Sequence, residues 1–594
     1  MFRPFKYILS NFWQVSKSYV LLIFLMQILH VLVPLLAVII PGLILNELTT
    51  NQRVEIITVY ICIYAMYTFC SGVLISFLNA KISTAQYWVM VSLEETKIRK
   101  NFEVDFADLE NPHFQDIYEK SKKFTEESGV GTYFKEFVQM IGHILSLVAL
   151  ASIISLLSIW IMIFFVSLVM LRILIGLKIE KKMTKSSLKA QQFERGNTYF
   201  GYRLPQIKYA KEVRINNLKD FILGKFRNNT NETLAQHKKT FKYMEKSNFV
   251  NLLLDTFGQV VSYTYLIYLV IHNNLNIGLF TIYLTAMLKV SQVVLDFSKS
   301  FLKTSEVSQY FDAYKEYLDM EPKMKDTLHK GIDFDIKTIE FVNVSFKYPN
   351  AKEYSLRKVN LTIKAKEKLA IVGENGAGKT TFVKLLCRLY DPTEGVILLN
   401  GIDIRCFSYE SYMKLFAPVF QDFKLLSFSL KENITFNNLE NDREIIMHLD
   451  ASGFTEKLQK LDKGIDTSIH QNFDEKGFEP SGGEGQKIAL ARALYKDAPV
   501  VVLDEPTAAL DPRAEFDMYS KFGEMVTDKM AVFISHRLSS TKFCDRIAVF
   551  SNQTIKDNQV TDTGSIVELG THDELIAKKG VYKELFEMQA QFYR

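Results

Sequence analysis

Long uncharged apolar stretches dominate the first half of the chain. No Asp, Glu, Lys or Arg lies between Lys17 and Glu47, and a second uncharged run covers Ile56–Ala80. Each run is long enough to cross a hydrocarbon core of about 30 Å at about 1.5 Å per helical residue. Two longer runs follow, Phe137–Leu171 and Thr256–Leu288. Each exceeds the length of one span and has a polar break near its middle, so each predicts a helical hairpin.

The hydrophobic pattern divides the chain into a membrane region and an α/β region. We predict six spans over residues 19–46, 55–80, 136–156, 159–178, 250–271 and 277–298. They lie in a membrane domain of residues 19–320, preceded by an aromatic interfacial helix over residues 1–18. A polar linker is predicted over residues 321–335. In residues 336–594 short β-branched strands alternate with amphipathic helices. The predicted fold class is therefore an all-α polytopic membrane domain joined to an α/β domain.

Charge gives the predicted orientation and excludes some functions. The loops over residues 81–135 and 178–246 are rich in Lys and Arg, whereas the three opposite loops carry only Arg53. The positive-inside rule therefore predicts both termini in the cytoplasm.

Hydrophobic residues make up 48% of the chain and charged residues 23%, which excludes a disordered or fibrous protein. The net charge of +5 gives no reason to expect nucleic acid as a partner. Five cysteines share no metal-ligand spacing and predict buried thiols.

A glycine-rich loop in the α/β region carries the first candidate chemistry. A short apolar strand, Leu369–Val372, runs into the loop and then into a helix-forming segment. This is the P-loop pattern, in which backbone amides and a helix N-terminus attract phosphate. We expect Lys379 to reach the β- and γ-phosphates and the Thr380 hydroxyl to bind Mg²⁺, so ATP and Mg²⁺ are the predicted cofactors. The nucleotide-binding residues predicted here are Gly373, Glu374, Asn375, Gly376, Ala377, Gly378, Lys379, Thr380 and Thr381.

A buried strand further along the chain ends in two carboxylates. The run Val500–Leu503 is followed directly by Asp504 and Glu505. In open α/β sheets the ligand lies at the carboxyl ends of the strands. We expect Asp504 to hold Mg²⁺ through water and Glu505 to polarise the attacking water, because phosphoryl transfer depends on positioning and charge neutralisation. The alternative is a simple acidic strand cap.

Because the glycine-rich loop and the two carboxylates occur in this order along the chain, residues 336–594 resemble the nucleotide-binding domain of an ATP-binding cassette (ABC) transporter. Six spans followed by one cassette resemble a half-transporter of the type IV exporter fold. The resemblance implies that Tyr348 stacks on adenine and that Gln421 senses Mg²⁺. It also implies that His536 is the switch histidine near the γ-phosphate, and that Asp511 belongs to a loop crossing between two cassettes. The implied catalytic residues are Glu505, His536 and Gln421. The implied metal-binding residues are Thr380, Gln421 and Asp504.

The family signature is present in an altered form. The usual Leu-Ser-Gly-Gly-Gln is replaced by Pro480, Ser481, Gly482, Gly483 and Glu484. Ser481 and Glu484 have the spacing of a capping box, and the helix N-terminus can still receive a phosphate. In the family that phosphate belongs to ATP held by the opposite subunit. The resemblance therefore implies a dimer with two composite sites, with a homodimer favoured and a heterodimer with a related half-transporter as the alternative.

The implied function is ATP-driven export by alternating access. The chain is similar to bacterial exporters of antimicrobial or signalling peptides, so we expect a multi-pass protein of the bacterial cell membrane that moves a peptide outward. Export of a lipid or drug, or an ATP-gated or regulatory role without cargo, stays open. An importer is less favoured. No peptidase domain precedes the first span, so we do not expect the chain to cleave a leader peptide.

Two features of the membrane domain bear on cargo and coupling. Arg172 and Lys289 are predicted at similar depth, where they could form a basic ring for an acidic cargo. The alternative is that both side chains snorkel to the inner interface or pair with Asp255 or Asp296. The resemblance implies that short helices at the loop tips dock on the cassettes. The two candidate segments are Asn111–Asp116 and Lys208–Arg214.

Overall fold

The computed structural model describes most of the chain as two separate units. The described residues exclude 1, 51, 126–128, 274, 325–330, 350, 437–440, 506–525, 536–537, 553–554, 557–558, 561–563 and 592–594. The first unit, which we call the membrane unit, comprises Met1–Phe102 and His113–Met320. The second unit, which we call the cassette, comprises Glu103–Pro112 and Glu321–Arg594. The short segment Glu103–Pro112 thus groups with the cassette, although its neighbours in sequence do not.

Helices make up the membrane unit. Within the described ranges, six of them are long and apolar enough to cross a membrane, which confirms the predicted six-span fold class. The helices of this part of the chain, including the short segment that groups with the cassette, are α1 (Phe2–Val15), α2 (Lys17–Thr49), α3 (Val54–Glu103), α4 (Phe106–Leu109), α5 (Pro112–Thr125), α6 (Val130–Leu157), α7 (Ile159–Thr198), α8 (Ile207–Ile215), α9 (Lys219–Asn273), α10 (Ile277–Ser308) and α11 (Phe311–Asp319). Helices α3, α7 and α9 continue well beyond the length of one span.

Helices in the membrane unit pack on one another through apolar side chains and, at one crossing, through glycines. Helices α2, α6 and α10 pack on one another, and α7 packs along α9. At the crossing of α2 and α10 a Cβ on Gly278 would lie 2.5 Å from the carbonyl oxygen of Gly42. Only residues without a side chain allow this backbone approach. Helix α1 also packs in this unit, with Phe12 buried against Tyr19 and Phe134.

A parallel sheet forms the centre of the cassette. Its strand order is β12-β9-β3-β8-β7-β6, and only β12 runs antiparallel to its neighbour. The strands are β3 (Lys368–Gly373), β6 (Phe416–Val419), β7 (Val500–Asp504), β8 (Met530–Ile534), β9 (Arg546–Ser551) and β12 (Ser565–Gly570). Val, Ile, Ala and Phe fill these strands because both faces of a parallel sheet are covered. Every residue of β7 and β8 is buried.

Smaller elements complete the cassette. An antiparallel sheet of order β2-β1-β4-β5 is formed by β1 (Thr338–Phe346), β2 (Leu356–Lys364), β4 (Glu394–Leu399) and β5 (Ile402–Asp403). A separate hairpin joins β10 (Ile555–Lys556) to β11 (Gln559–Val560). The described helices are α12 (Lys379–Leu386), α13 (Tyr409–Met413), α14 (Leu430–Thr435), α15 (Asp442–Ala451), α16 (Thr455–Leu458), α17 (Gly482–Tyr495), α18 (His572–Lys578) and α19 (Val581–Gln591). Together these elements are the α/β cassette that the sequence predicts.

Candidate active site

The glycine-rich loop joins β3 to α12 at the carboxyl edge of the central sheet. Gly376 and Gly378 have φ angles of +82° and +90°, which a residue without Cβ adopts at low cost. The side-chain nitrogen of Lys379 donates hydrogen bonds to the carbonyl oxygens of Gly373 and Glu374, both at 2.9 Å. The ammonium group is thus held against the loop's own carbonyls, and phosphate oxygens could replace these contacts when a nucleotide binds.

Two carboxylates stand at the end of β7, two strands away from the loop. Asp504 is only 1% exposed. Burial, and then the negative charge of Glu505, raise the pKa of Asp504 to about 6. Burial lowers the pKa of Lys379, while the charges of Glu505 and Asp504 act in the opposite direction. One cation and two anions therefore lie close enough to influence one another, which is the electrostatic arrangement of a phosphoryl-transfer site.

The arrangement around Asp504 suits a hard cation. Neither carboxylate oxygen of Asp504 has a hydrogen bond of good geometry among the described residues, although the nearby Thr380 hydroxyl acts to lower its pKa. A buried carboxylate without donors is costly unless a cation binds it. Mg²⁺ prefers carboxylate and hydroxyl oxygens, so Asp504 and Thr380 fit the predicted metal.

Gln421 and Glu505 contact each other directly. The Gln421 side-chain nitrogen donates a 2.8 Å hydrogen bond to a carboxylate oxygen of Glu505. Glu505 has a left-handed backbone, with φ of +51°, and its amide donates to the Ile534 carbonyl at 3.1 Å. The turn after β7 thus directs Glu505 away from the strand and towards Gln421. The structure brings these two predicted catalytic side chains together.

Tyr348 lies beside the loop within an aromatic cluster. Its hydroxyl is 3.1 Å from the Thr381 hydroxyl. Its ring contacts Phe346 and Tyr390 edge-on, at centroid distances of 5.0 and 5.4 Å. The Lys384 ammonium lies 5.4 Å from the Tyr348 ring. These contacts hold an aromatic ring next to the loop, where an adenine could stack on it.

The altered signature opens α17. Ser481 and Glu484 form a capping box: the Ser481 hydroxyl accepts from the Glu484 amide at 3.3 Å, and the Glu484 carboxylate accepts from the Ser481 amide at 2.8 Å. A second Glu484 oxygen lies 3.2 Å from the Lys457 ammonium. Lys457 also lies 4.5 Å from the Phe478 ring. Gly482 and Gly483 begin the helix. The spacing of Ser481 and Glu484 predicts the capping box, whereas nothing in the sequence between α16 and α17 indicates the contact with Lys457.

Two predicted site residues lie outside the described residues. They are His536 and Asp511. Their roles therefore stay predictions from the family resemblance.

The segment Glu103–Pro112 was not predicted to belong to the cassette. The predicted docking segment Asn111–Asp116 begins several residues later, and from His113 onward it belongs to the membrane unit. A carboxylate oxygen of Glu110 accepts a hydrogen bond from the Tyr390 hydroxyl and another lies 3.4 Å from the Lys384 ammonium. Phe106 meets Tyr390 edge-on at 5.8 Å. The signal that the sequence offers for this segment is Phe106, an aromatic residue among acidic ones ahead of Pro112.

The second predicted docking segment, Lys208–Arg214, lies within α8.

The membrane unit decides between the two interpretations of Arg172. Arg172 is 6% exposed and pairs with Asp255, the alternative that the sequence left open. Lys289 is half-buried on α10 and has no ion pair among the described residues. Of the two cations proposed for the basic ring, Arg172 is therefore neutralised by the carboxylate of Asp255.

Comparison with known proteins gives matches over the cassette and over the whole chain. A family described as "ABC transporter" matches residues 356–508. The chain is 30% identical to the subtilin transport ATP-binding protein SpaT of Bacillus subtilis, over 97% of this chain and 92% of that protein. It is 28% identical to the nisin transport ATP-binding protein NisT of Lactococcus lactis subsp. lactis, over 97% and 95%.

Two further similarities are partial or structural. An ATP-dependent lipid A-core flippase of Salmonella typhimurium is 37% identical, but over only 46% of this chain and 44% of that protein. A solved structure, a bacterial Atm1-family ABC exporter with ATP bound, aligns with a TM-score of 0.82 at 21% identity, covering 97% of this chain and 99% of the other. At that identity the similarity concerns the fold.

Proposed function

We propose that the cargo of this chain, which belongs to the ABC transporter family, is a peptide. The chain is a multi-pass membrane protein whose ATP hydrolysis is coupled to export. The observation that carries the proposal is full-length similarity to two proteins named for subtilin and nisin transport. The flippases match 46–57% of the chain at 34–37% identity, so their similarity covers much less of it than that of the two peptide-transport proteins. A lipid cargo is therefore the second candidate.

In the proposed cycle two chains work together. A cassette presents its P-loop, Lys379 and Tyr348 to one ATP, and the start of α17 in the partner subunit receives the γ-phosphate. Thr380 and Asp504, with Gln421 nearby, would hold Mg²⁺, which would supply charge neutralisation at the phosphates. Glu505, oriented by Gln421, accepts the proton of the attacking water. ATP-driven closure of the two cassettes and its release shift the membrane domain between inward-facing and outward-facing states.

We propose that the protein resides in the bacterial cell membrane with both termini in the cytoplasm. The basic loops over residues 81–135 and 178–246 support this orientation. Two identical chains are the favoured assembly, because the sequence of one chain carries both Glu505 and His536. A heterodimer with a related half-transporter is the alternative.

Transport into inverted membrane vesicles tests the peptide proposal. We expect a labelled apolar peptide added with MgATP to accumulate inside vesicles that contain the wild-type chain alone. Vesicles with ADP in place of ATP provide the control. Accumulation of a labelled phospholipid analogue in the inner leaflet, with no uptake of any peptide tested, would replace the peptide with a lipid. Activity of the chain without a partner would also establish the homodimer.

The Lys457–Glu484 pair gives a prediction for the composite site. Burial acts to raise the pKa of Glu484, but hydrogen bonds from Ser481 and the pairing with Lys457 outweigh it and hold that pKa below its usual value. Glu484 is therefore ionised at neutral pH, close to where a phosphate is proposed to bind. Replacing Lys457 by Met leaves this charge uncompensated, so we expect the KM for ATP to rise roughly threefold to tenfold.

A double-mutant cycle separates this electrostatic effect from loss of packing. Glu484→Gln in the Lys457→Met background removes the repelling charge and is expected to restore the KM to within about twofold of the wild type. Lys460→Met, at an exposed lysine close by on the chain, is the matched control and should leave the KM unchanged. A KM that stays high in the double variant would show that Lys457 acts through packing on Phe478 instead.

A further inference from the structure

A cavity of about 370 Å³ lies within the membrane unit between α7, α9 and α10. We call it the α7–α9–α10 cavity. Its volume falls within the usual range for small-ligand sites, about 300–1,000 Å³. Arg172 borders it about 14 residues beyond the turn at Ser158, roughly 20 Å along the helix. The lining continues from Arg172 past the end of this span to Met183, so the cavity lies at the end of the span away from that turn. Its apolar wall is formed by Leu177, Met183, Met244, Phe297, Phe301 and Leu302.

The charges that border this cavity are already compensated. The Arg172 guanidinium pairs with Asp255, and it also donates to the carbonyl oxygens of Asn251 at 3.0 Å and Ser291 at 3.4 Å. Lys299, the other charged residue of the lining, lies 3.4 Å from Asp296. An acidic group would have to compete with these carboxylates for each cation. The electrostatics therefore favour an uncharged ligand, in contrast to the acidic cargo expected from a basic ring.

Two side-chain amides in the lining have hydrogen-bonding capacity to spare. Asn248 and Asn251 lie one turn apart on α9, and neither side chain makes a hydrogen bond with any part of the chain that the structure describes. Each amide offers two donors and one acceptor. A peptide bond offers a matching acceptor and donor, whereas an acyl chain offers neither. Asn251 lies just inside the predicted span over residues 250–271 and Asn248 just before it, at the end of the span where a cargo would enter from the cytoplasm.

The wall suits apolar side chains of varied shape. Met183 and Met244 are flexible thioethers that adapt to irregular surfaces. Phe297 and Phe301 stand one turn apart on α10 with their rings stacked at a centroid distance of 6.5 Å. Such a wall accepts Leu, Ile or Phe side chains without requiring a single shape.

We propose that the α7–α9–α10 cavity binds an uncharged, apolar stretch of the peptide cargo. The peptide backbone bonds to the side-chain amides of Asn248 and Asn251, and its apolar side chains pack on the Met and Phe wall. This inference rests on the proposed peptide export and adds the chemical class that the membrane unit selects.

Peptide binding to the full-length protein in phosphatidylcholine nanodiscs tests the inference without nucleotide. The probes are a fluorescent ten-residue peptide of Leu, Ile, Phe and Ser with blocked termini, and the same peptide with two central Glu residues. We expect the neutral peptide to bind more tightly. Asn248→Leu combined with Asn251→Leu should weaken its binding roughly tenfold, because two backbone hydrogen bonds are lost.

Two further variants guard against a trivial loss of folding. Asn248→Gln with Asn251→Gln keeps both amides and should retain most of the binding, while Asn231→Leu, at an exposed asparagine of α9 outside the lining, should retain all of it. The inference is overturned if the Leu variants bind the neutral peptide as the wild type does, or if the acidic peptide binds more tightly. It is also overturned if a fluorescent phosphatidylglycerol binds in the cavity and displaces the peptide.

Vesicle uptake distinguishes failure of this inference from failure of the proposed function. If the wild type and the Leu variants take up the neutral peptide equally with MgATP, peptide export stands and the assigned cavity is wrong. If the wild type takes up and binds no peptide at all, both the proposed cargo and the cavity assignment fall.

Discussion

Replacing Glu505 by Gln is expected to lower the rate of ATP hydrolysis by about 100-fold or more while ATP still binds. Glutamine has nearly the same shape as glutamate and can keep a hydrogen bond to Gln421, which lies 2.8 Å from the native carboxylate. It cannot accept the proton of the attacking water. The variant should therefore accumulate in the ATP-bound state with its two cassettes closed.

Steady-state ATP hydrolysis and retention of labelled nucleotide measure this effect. Glu410→Gln is the matched control, because it makes the same chemical change at an exposed residue of α13 that pairs with the neighbouring Lys414. The control should hydrolyse ATP at the wild-type rate. Hydrolysis by the Glu505→Gln variant at the wild-type rate would remove Glu505 from the mechanism.

Replacing Asp504 by Asn is expected to have opposite effects on activity and on stability. The variant loses the carboxylate that fits Mg²⁺, so ATP hydrolysis should fall by about 100-fold or more. Without metal, however, the native carboxylate is buried and its pKa is raised to about 6. A shift of that size corresponds to roughly 3 kcal/mol against the ionised form. Asparagine still carries a burial cost, so we expect the metal-free cassette to gain about 1–2 kcal/mol.

The stability gain should depend on pH in a defined direction. Because the folded-state pKa of Asp504 lies above its unfolded value of 3.8, ionisation of Asp504 costs stability at pH above about 6. The cost fades as the pH falls from about 6 towards 4, where the folded protein holds the proton. Thermal unfolding of the cassette in the full-length protein with EDTA, at pH 7.5 and at pH 5, measures this.

A matched control makes the comparison specific. Asp528→Asn changes an exposed aspartate that pairs with Lys366 at 3.2 Å, so its unfolding temperature should not rise. If Asp504→Asn proves less stable than the wild type in EDTA at pH 7.5, then the carboxylate has a stabilising partner in the folded protein and the metal-site interpretation loses its physical basis.

Hydrophobic patterning predicted the membrane helices well. Uncharged runs interrupted by short polar turns identified six helices, because each must bury its backbone polar groups internally and expose apolar side chains to lipid. The exact limits differ: α3 and α9 continue far past the runs that predicted them. Polar helical extensions carry no hydropathy signal, so their lengths depend on what they pack against.

Local motifs predicted much of the cassette site, and long-range contacts lay beyond them. The loop after β3 and the two carboxylates at the end of β7 are each contiguous in sequence, so their chemistry could be inferred directly. The bond between Gln421 and Glu505 joins residues far apart in the chain. The same is true of Lys457 and Glu484, and of Glu110 and Lys384. No periodicity or spacing reports such pairs.

The sequence by itself determined the order of six apolar helices and an α/β cassette, and the local groups able to hold a nucleotide, because these follow from hydrophobicity and from glycine and capping chemistry over a few residues. The tertiary structure alone decided that Arg172 is neutralised by Asp255, that Glu103–Pro112 groups with the cassette, and that Glu484 is balanced by Lys457. The physical reason is that charge pairing and burial depend on distances in space, which chain folding sets between residues remote in sequence.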